Sequence, residues 1–263
     1  MISMGRSGGV FPRRSISPST QGCASFSMCI IMPAERCLPM DSLRSTKSAR
    51  RSCRWRPSLI FCGALAARCD AWPTLVLGLM NEPFGITPKA WLGIANGAIA
   101  RIRSVGSQHL ILVPGIAYTG AHSWHTSGND VMGGIIDPRD NFAIEVHQYL
   151  DADASGTRPD VVSATIGPER IEAFQKWARR SGLRAYLGEF AAGSDAFGRR
   201  ALINLVAELE RNSDVWIGWA AWAAGSWWPS DYIFRIDGTG VSNLYTQTLS
   251  ELARGTANCE TSR

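Results

Sequence analysis

Two glutamates close apolar runs and are followed by residues that end a strand: Glu82 in Leu75–Pro83 (LVLGLMNEP) and Glu189 in Leu187–Phe190 (LGEF). Pro83 cannot donate to a sheet ladder, so a strand over residues 75–79 stops where Glu82 is delivered, on the rim of the sheet. A carboxylate there is placed for chemistry. His147 and Tyr149 close the run from Phe142, and Trp222 closes the run from Val215. Taken singly, each has a plainer reading: a rim ion pair for a glutamate, a satisfied structural histidine, a hydrogen-bonded tyrosine, a packed tryptophan. Taken together, they fall at the C-terminal ends of successive strands, where α/β barrels build their active sites.

The elements that must position them follow from punctuation and period. Short apolar runs at 75–79, 109–113, 142–149, 184–190 and 215–222 read as buried parallel strands. Between them run helical stripes. Thr87 reads as an N-cap and Pro88 as a first helical residue, ahead of Trp91, Ile94, Ala95, Ala98, Ile99 and Ile102 on one face. A helix over about 168–181 ends at Gly182, which suits the left-handed residue past a helix end. Ser194 reads as the cap of the next helix, and residues 244–253 as a closing one. This alternation predicts a parallel α/β sheet. Side-chain parity then groups Glu82 with Met80, Gly78 and Val76, Glu189 with Leu187 and Ala185, His147 and Tyr149 with Glu145 and Ala143, and Trp222 with Ala220, Gly218 and Trp216. Val215, Ile217 and Trp219 are left for the outer helices.

Composition bounds the rest. The chain has 263 residues, 45% hydrophobic and 19% charged, ordinary for a globular protein. Its net charge of +5 is uneven: residues 1–70 hold 11 Lys+Arg and 3 Asp+Glu, a net of +8, which leaves 27 − 11 = 16 against 22 − 3 = 19, a net of −3, for the remainder. Six of the seven cysteines, Cys23 to Cys69, lie in the same basic end, and none is spaced C-x-x-C, so neither zinc nor a complete disulfide framework is indicated. Residues 1–62 form an atypical Ser/Arg/Cys-rich segment, expected to be irregular, with brief apolar runs such as Met28–Met32 but no sustained period. Arg50, Arg51, Arg54 and Arg56 around Trp55 read as a solvated extension rather than a nucleic-acid or membrane patch. Neither a secretory signal nor a membrane-length apolar run is visible.

Four stretches, GLMNEP at Gly78–Pro83, ILVPG at Ile111–Gly115, HQYLDADASGT at His147–Thr157 and SDVWIGWAAWAAGSW at Ser213–Trp227, resemble glycoside hydrolase family 5 cellulases over about residues 63–263. The resemblance implies a (β/α)8 TIM barrel and a retaining endo-β-1,4-glucanase acting on β-glucan polysaccharide or oligosaccharide, as a secreted monomer without metal or organic cofactor. By that resemblance Glu82 is the acid/base, Glu189 the nucleophile, and Asn81 the contact to the sugar 2-hydroxyl. His147 and Tyr149 support them, Trp222 is the platform beneath the sugar, and Trp124 serves a neighbouring subsite. Retention needs one neutral carboxyl to protonate the leaving oxygen and one ionised carboxylate to attack the anomeric carbon, about 5 to 5.5 Å apart. Glu145 reads as a buried hydrogen-bond partner of His147 rather than a third catalytic acid.

A barrel whose fourth strand ends at Glu82 needs three strand–helix units upstream, at about 30 residues each. The basic segment lacks their periodicity. An incomplete barrel holding strands 4 to 8 is therefore expected, with activity weakened or absent. The alternatives are a truncated fragment without enzymatic function, and a related β-mannanase or glucosidase, because the carboxylate pair sets the mechanism and not the sugar.

Overall fold

The computed structural model describes residues 28–32, 56–72, 74–237 and 243–255, the first five and residues 56–59 as backbone alone. Six strands form one parallel sheet in sequence order: β1 (Met28–Met32), β2 (Val76–Met80), β3 (Ile111–Pro114), β4 (Phe142–His147), β5 (Ala185–Glu189) and β6 (Trp216–Trp219). Helices α1 (Arg56–Cys69), α2 (Pro88–Ser104), α3 (Ile166–Arg180) and α4 (Ala196–Arg211) connect or follow successive strands, and α5 (Leu244–Ala253) closes the described chain. This is part of a (β/α) barrel. Among the described residues no pairing joins β1 to β6, so the strand order is linear. No described helix is long and apolar enough to cross a membrane.

The five expected strands are β2 to β6: β4 to β6 lie inside the expected ranges, whereas β2 and β3 each begin later and end one residue later than expected. Strand β1 differs from the expected irregular segment: Met28–Met32 pairs in parallel with β2, from Met28 opposite Val76 to Met32 opposite Met80. A five-residue apolar run has no period of its own to reveal, and only the neighbouring strand makes it readable. The rest of residues 1–55, including the arginine cluster up to Arg54, lies outside the described residues.

Local signals explain the helix ends. The Thr87 side chain accepts from Ala90 N with Pro88 in the first turn, as its sequence predicts. Gly182 takes φ 67° past α3. Helix α4 is capped one residue later than expected, by the Asp195 carboxylate on Gly198 N at 2.7 Å, while Ser194 Oγ accepts from Tyr245 N at the start of α5. The helices seal the outer face of the sheet through fully buried Trp91, Ile99, Phe174, Leu202 and Leu205. Trp91 also donates from Nε1 to Pro114 O at 2.7 Å, tying α2 to the end of β3.

Two register shifts change which residues face inward. Between β4 and β5, Val146 pairs with Leu187 but His147 pairs with Glu189, so Gly188 is the extra residue of a bulge. Leu187 and Ala185 therefore pack in the helix-facing core, while Tyr186 packs inside with Val76, Leu112 and Ala143. Between β5 and β6, Ala185 pairs with Trp216 but Tyr186 with Gly218, which passes over Ile217. Ile217 lies inside with Tyr186, and Trp216 turns outward to donate from Nε1 to Gln175 of α3 at 2.7 Å. The expected parity of β5 and β6 is thus corrected: Trp216 is an outer residue and Ile217 an inner one. In β4 the expected grouping of Glu145 with Ala143 stands apart from Phe142, Ile144 and Val146 in the outer core.

Candidate active site

Glu82, His147 and Glu189 meet at the C-terminal end of the sheet. Glu82 follows β2 with φ 45°, a left-handed backbone that a residue with a Cβ adopts at a cost of about 1–2 kcal/mol. A second left-handed run, Ala117, Tyr118 and Thr119 at φ 55°, 58° and 51°, lies beyond β3. It is held from inside: the fully buried Thr119 hydroxyl accepts from Gly115 N at 2.8 Å and donates to Glu145 O at 2.6 Å. Strained backbone around a rim is typical of a site whose geometry is fixed by its surroundings.

His147 Nδ1 lies 2.7 Å from Glu82 Oε1 and 3.4 Å from Glu189 Oε2. The His147 side chain is 4% exposed, that of Glu189 10% and that of Glu82 28%. Tyr149 donates its hydroxyl to Glu189 Oε2 at 2.6 Å. The bulge at Gly188 turns Glu189 beside His147 rather than toward the helices. Burial raises the Glu189 carboxyl above its ordinary range, with Glu82 and Glu145 adding to the rise, while the charge of His147 and the Tyr149 hydroxyl oppose it. On His147 burial disfavours the charge, but Glu145, Glu82 and Glu189 outweigh it and raise the imidazole to about 10. Burial and the Glu189 charge push Tyr149 upward, so the phenol keeps the proton it donates.

A ligand atom of each of Glu82, His147 and Glu189 falls within 4.8 Å of the others, a grouping that could also attract a cation. The 2.7 Å contact between Nδ1 and Oε1 instead fits a proton shared by the two atoms. An ion bound by both would have to replace that proton.

Trp222 stands at the same rim, half-buried and fixed on several sides. Its Nε1 donates to Tyr232 Oη at 3.0 Å, its carbonyl accepts from Tyr245 Oη at 2.6 Å, and Trp228 packs against its ring at 5.1 Å. Asn81 is half-buried at the end of β2, beside Glu82. Trp124 does not join this group. It is fully buried, packed on Phe174 at 4.9 Å and Trp177 at 5.0 Å of α3, because the segment after β3 folds back beneath the rim. The expectation of a sugar subsite there is corrected: Trp124 is a core residue. The sequence reading passed over Phe84, which stacks on Tyr118 with centroids 4.7 Å apart while both rings stay about half exposed. An aromatic two residues beyond a rim glutamate was the available signal.

The Cellulase (glycosyl hydrolase family 5) family model matches residues 47–225. The chain belongs to glycosyl hydrolase family 5. The match begins before Gly63, where the sequence resemblance starts. This family 5 chain is 43% identical over 174 residues to endo-β-1,4-glucanase B of Emericella nidulans, a match covering 65% of this chain and 52% of the relative. It is 40% identical over 180 residues to endoglucanase gh5-1 of Neurospora crassa, covering 67% and 46%. The chain spans about half the length of the curated relatives it matches. Among solved structures, an endo-β-1,4-glucanase from Xanthomonas axonopodis pv. citri superposes with a TM-score of 0.70 at 41% identity, over 76% of this chain and 67% of that one. XacCel5A in complex with cellopentaose superposes with a TM-score of 0.72 at 37% identity, over 82% and 69%.

Proposed function

We propose that this family 5 site is built for retaining, endo-acting hydrolysis of β-1,4-glucan, with Glu82 as acid/base and Glu189 as nucleophile. The observation that carries this reading is the approach of both carboxylates to one imidazole nitrogen, with candidate oxygen atoms within 4.8 Å of one another. That spacing suits the about 5 to 5.5 Å of a retaining pair rather than the about 6.5 to 9.5 Å of an inverting one. Glu189, buried and bonded to Tyr149, is held for attack on the anomeric carbon. Glu82, the more exposed of the pair, is placed to protonate the leaving oxygen and then to activate the water that releases the sugar. Asn81 contacts the 2-hydroxyl, His147 and Tyr149 hold the carboxylates, and Trp222 stacks beneath the sugar. A neutral glucan suits such an aromatic face. A polymeric substrate suits a secreted protein.

One observation favours a second reading, a fragment without turnover: β1 and β6 are not joined among the described residues, and an open strand edge lowers stability and weakens preorganisation. Reducing-sugar release from carboxymethyl cellulose, glucomannan and aryl glucosides tests both readings. Glucan cleavage that Glu189→Gln abolishes supports the first. No release from any substrate supports the second, and preference for mannan would move the assignment to a β-mannanase.

A further inference from the structure

Behind His147, on the side away from Glu82, lies Glu145. Its Oε1 is 3.7 Å from His147 Nε2, and the two side chains are 5% and 4% exposed. At that separation the contact is an ion pair rather than a hydrogen bond. Both ring nitrogens therefore face carboxylates: Nδ1 faces Glu82 at 2.7 Å and Glu189 at 3.4 Å, and Nε2 faces Glu145. A neutral imidazole carries a single N–H and would turn a lone pair toward one of these groups. Only the imidazolium offers a proton on each side.

Among the described residues the surroundings supply no other positive charge. Glu82 comes from the loop after β2, Glu145 from β4 with Tyr149 just beyond it, and Tyr186 and Glu189 from β5. From the loop after β6, Tyr232 acts electrostatically on Tyr149. On the β3 side, among the described residues, stands the Thr119 hydroxyl, which is spent on Gly115 N and Glu145 O. Among the described residues no Arg or Lys ion pair reaches Glu82, Glu145 or Glu189. The backbone also leaves the space open. A Cβ at Gly188 would collide with Glu145 Oε1, and would lie 2.9 Å from Glu145 Cγ and 3.0 Å from His147 Nε2. A bulge that places Glu189 therefore also clears the contact behind His147.

We propose that Glu145 is a positioning residue that holds His147 as an imidazolium, keeping the Nδ1 proton directed at Glu82 and the positive charge beside Glu189. Glu145 touches no reacting atom; it acts through His147. The raised proton affinity of the imidazole accords with this arrangement. The consequence for turnover rests on the roles proposed for Glu82 and Glu189, whereas the charge state of His147 does not.

The test uses the full chain labelled with ring-15N histidine, which has four histidines, with the His147 signals assigned by their loss in His147→Gln. In the unaltered chain both ring nitrogens of His147 should remain protonated through pH 8. In Glu145→Gln the midpoint should fall by about 1–3 pH units, the range for loss of an opposite charge at this distance. Glu145→Asp, which keeps the charge, should restore most of the shift. With glucan as substrate, kcat in Glu145→Gln should fall while KM changes little, and Glu145→Asp should recover most of it. A purely structural role would lower thermal stability and leave the midpoint where it was. A neutral His147 with one N–H at pH 7 in the unaltered chain, or an unchanged midpoint in a folded Glu145→Gln, overturns the proposal. An inactive chain with His147 protonated would remove the catalytic reading and leave the charge assignment standing. An active chain with neutral His147 would do the reverse.

Discussion

Glu82 and Glu189 share one imidazole but reach it from opposite kinds of structure. Glu82 sits on a left-handed loop residue just past its strand, with its side chain 28% exposed. Glu189 is the last residue of β5, 10% exposed, locked by Tyr149 and by a bulge in the ladder. A carboxylate that must exchange protons with a leaving group and then with water needs access to solvent. A nucleophile that must hold one trajectory needs rigid backing. The two environments match these demands.

The largest effect should come from exchanging each glutamate for glutamine. Glu189→Gln should lower turnover by about 10^4-fold or more on every substrate, as loss of one member of a covalent catalytic unit does. Glu82→Gln should be as damaging on glucan but much less so on a dinitrophenyl cellobioside, whose leaving group needs no proton. Steady-state assays on both substrates check this, and equal losses on the aryl substrate would erase the difference between the two carboxylates.

Next in size is Tyr149→Phe. It removes the hydrogen bond at 2.6 Å that favours ionised Glu189, so the Glu189 carboxyl, already raised by burial, should rise further. Activity that needs Glu189 ionised is lost as pH falls through its pKa, so the acid limb of the kcat/KM profile should move to higher pH. Turnover at neutral pH should fall by about 100-fold. A pH-rate profile with an unmoved acid limb would show that Tyr149 serves substrate binding alone.

Gly188→Ala should have the smaller but more local effect of breaking the backing of Glu189 without touching its carboxyl. The added Cβ meets Glu145 and His147, and overpacking of this kind costs about 1–3 kcal/mol. Urea unfolding should show that loss. A control at Gly93 in α2, where a Cβ meets nothing within 4 Å, should be neutral or slightly stabilising.

The sequence was most legible where strands were regular. In β4, parity alone grouped His147 with Glu145, because a period of two holds as long as no residue is inserted; in β2 it held for Val76 but not for Met80, which packs with Leu77 and Leu79 in the helix-facing core. In β5 and β6 it failed, since a bulge shifts every later side chain by one face and leaves no mark on hydrophobic alternation. Gly188 and Gly218 were the hints available, glycine inside a strand being a common sign of a bulge. The site survived this error because the bulge itself brings Glu189 inward. Trp124 was misread for a different reason: in a Gly-rich loop an aromatic looks available to a ligand, yet here the loop folds its tryptophan under α3. Strand β1 was visible as the run Met28–Met32, but five apolar residues become a strand only when β2 offers them a ladder.

The most direct test of the central claim is covalent trapping. A retaining mechanism passes through a glycosyl–enzyme ester, and a 2-deoxy-2-fluoro cellobioside with a dinitrophenyl leaving group slows the release of that ester more than its formation. Mass spectrometry of the treated, digested protein should find one added fluorocellobiosyl group on the peptide that contains Glu189. Glu82→Gln should still be labelled, and Glu189→Gln should not. Label on Glu82, or cleavage of glucan with no label on Glu189, would contradict the assignment of the two carboxylates.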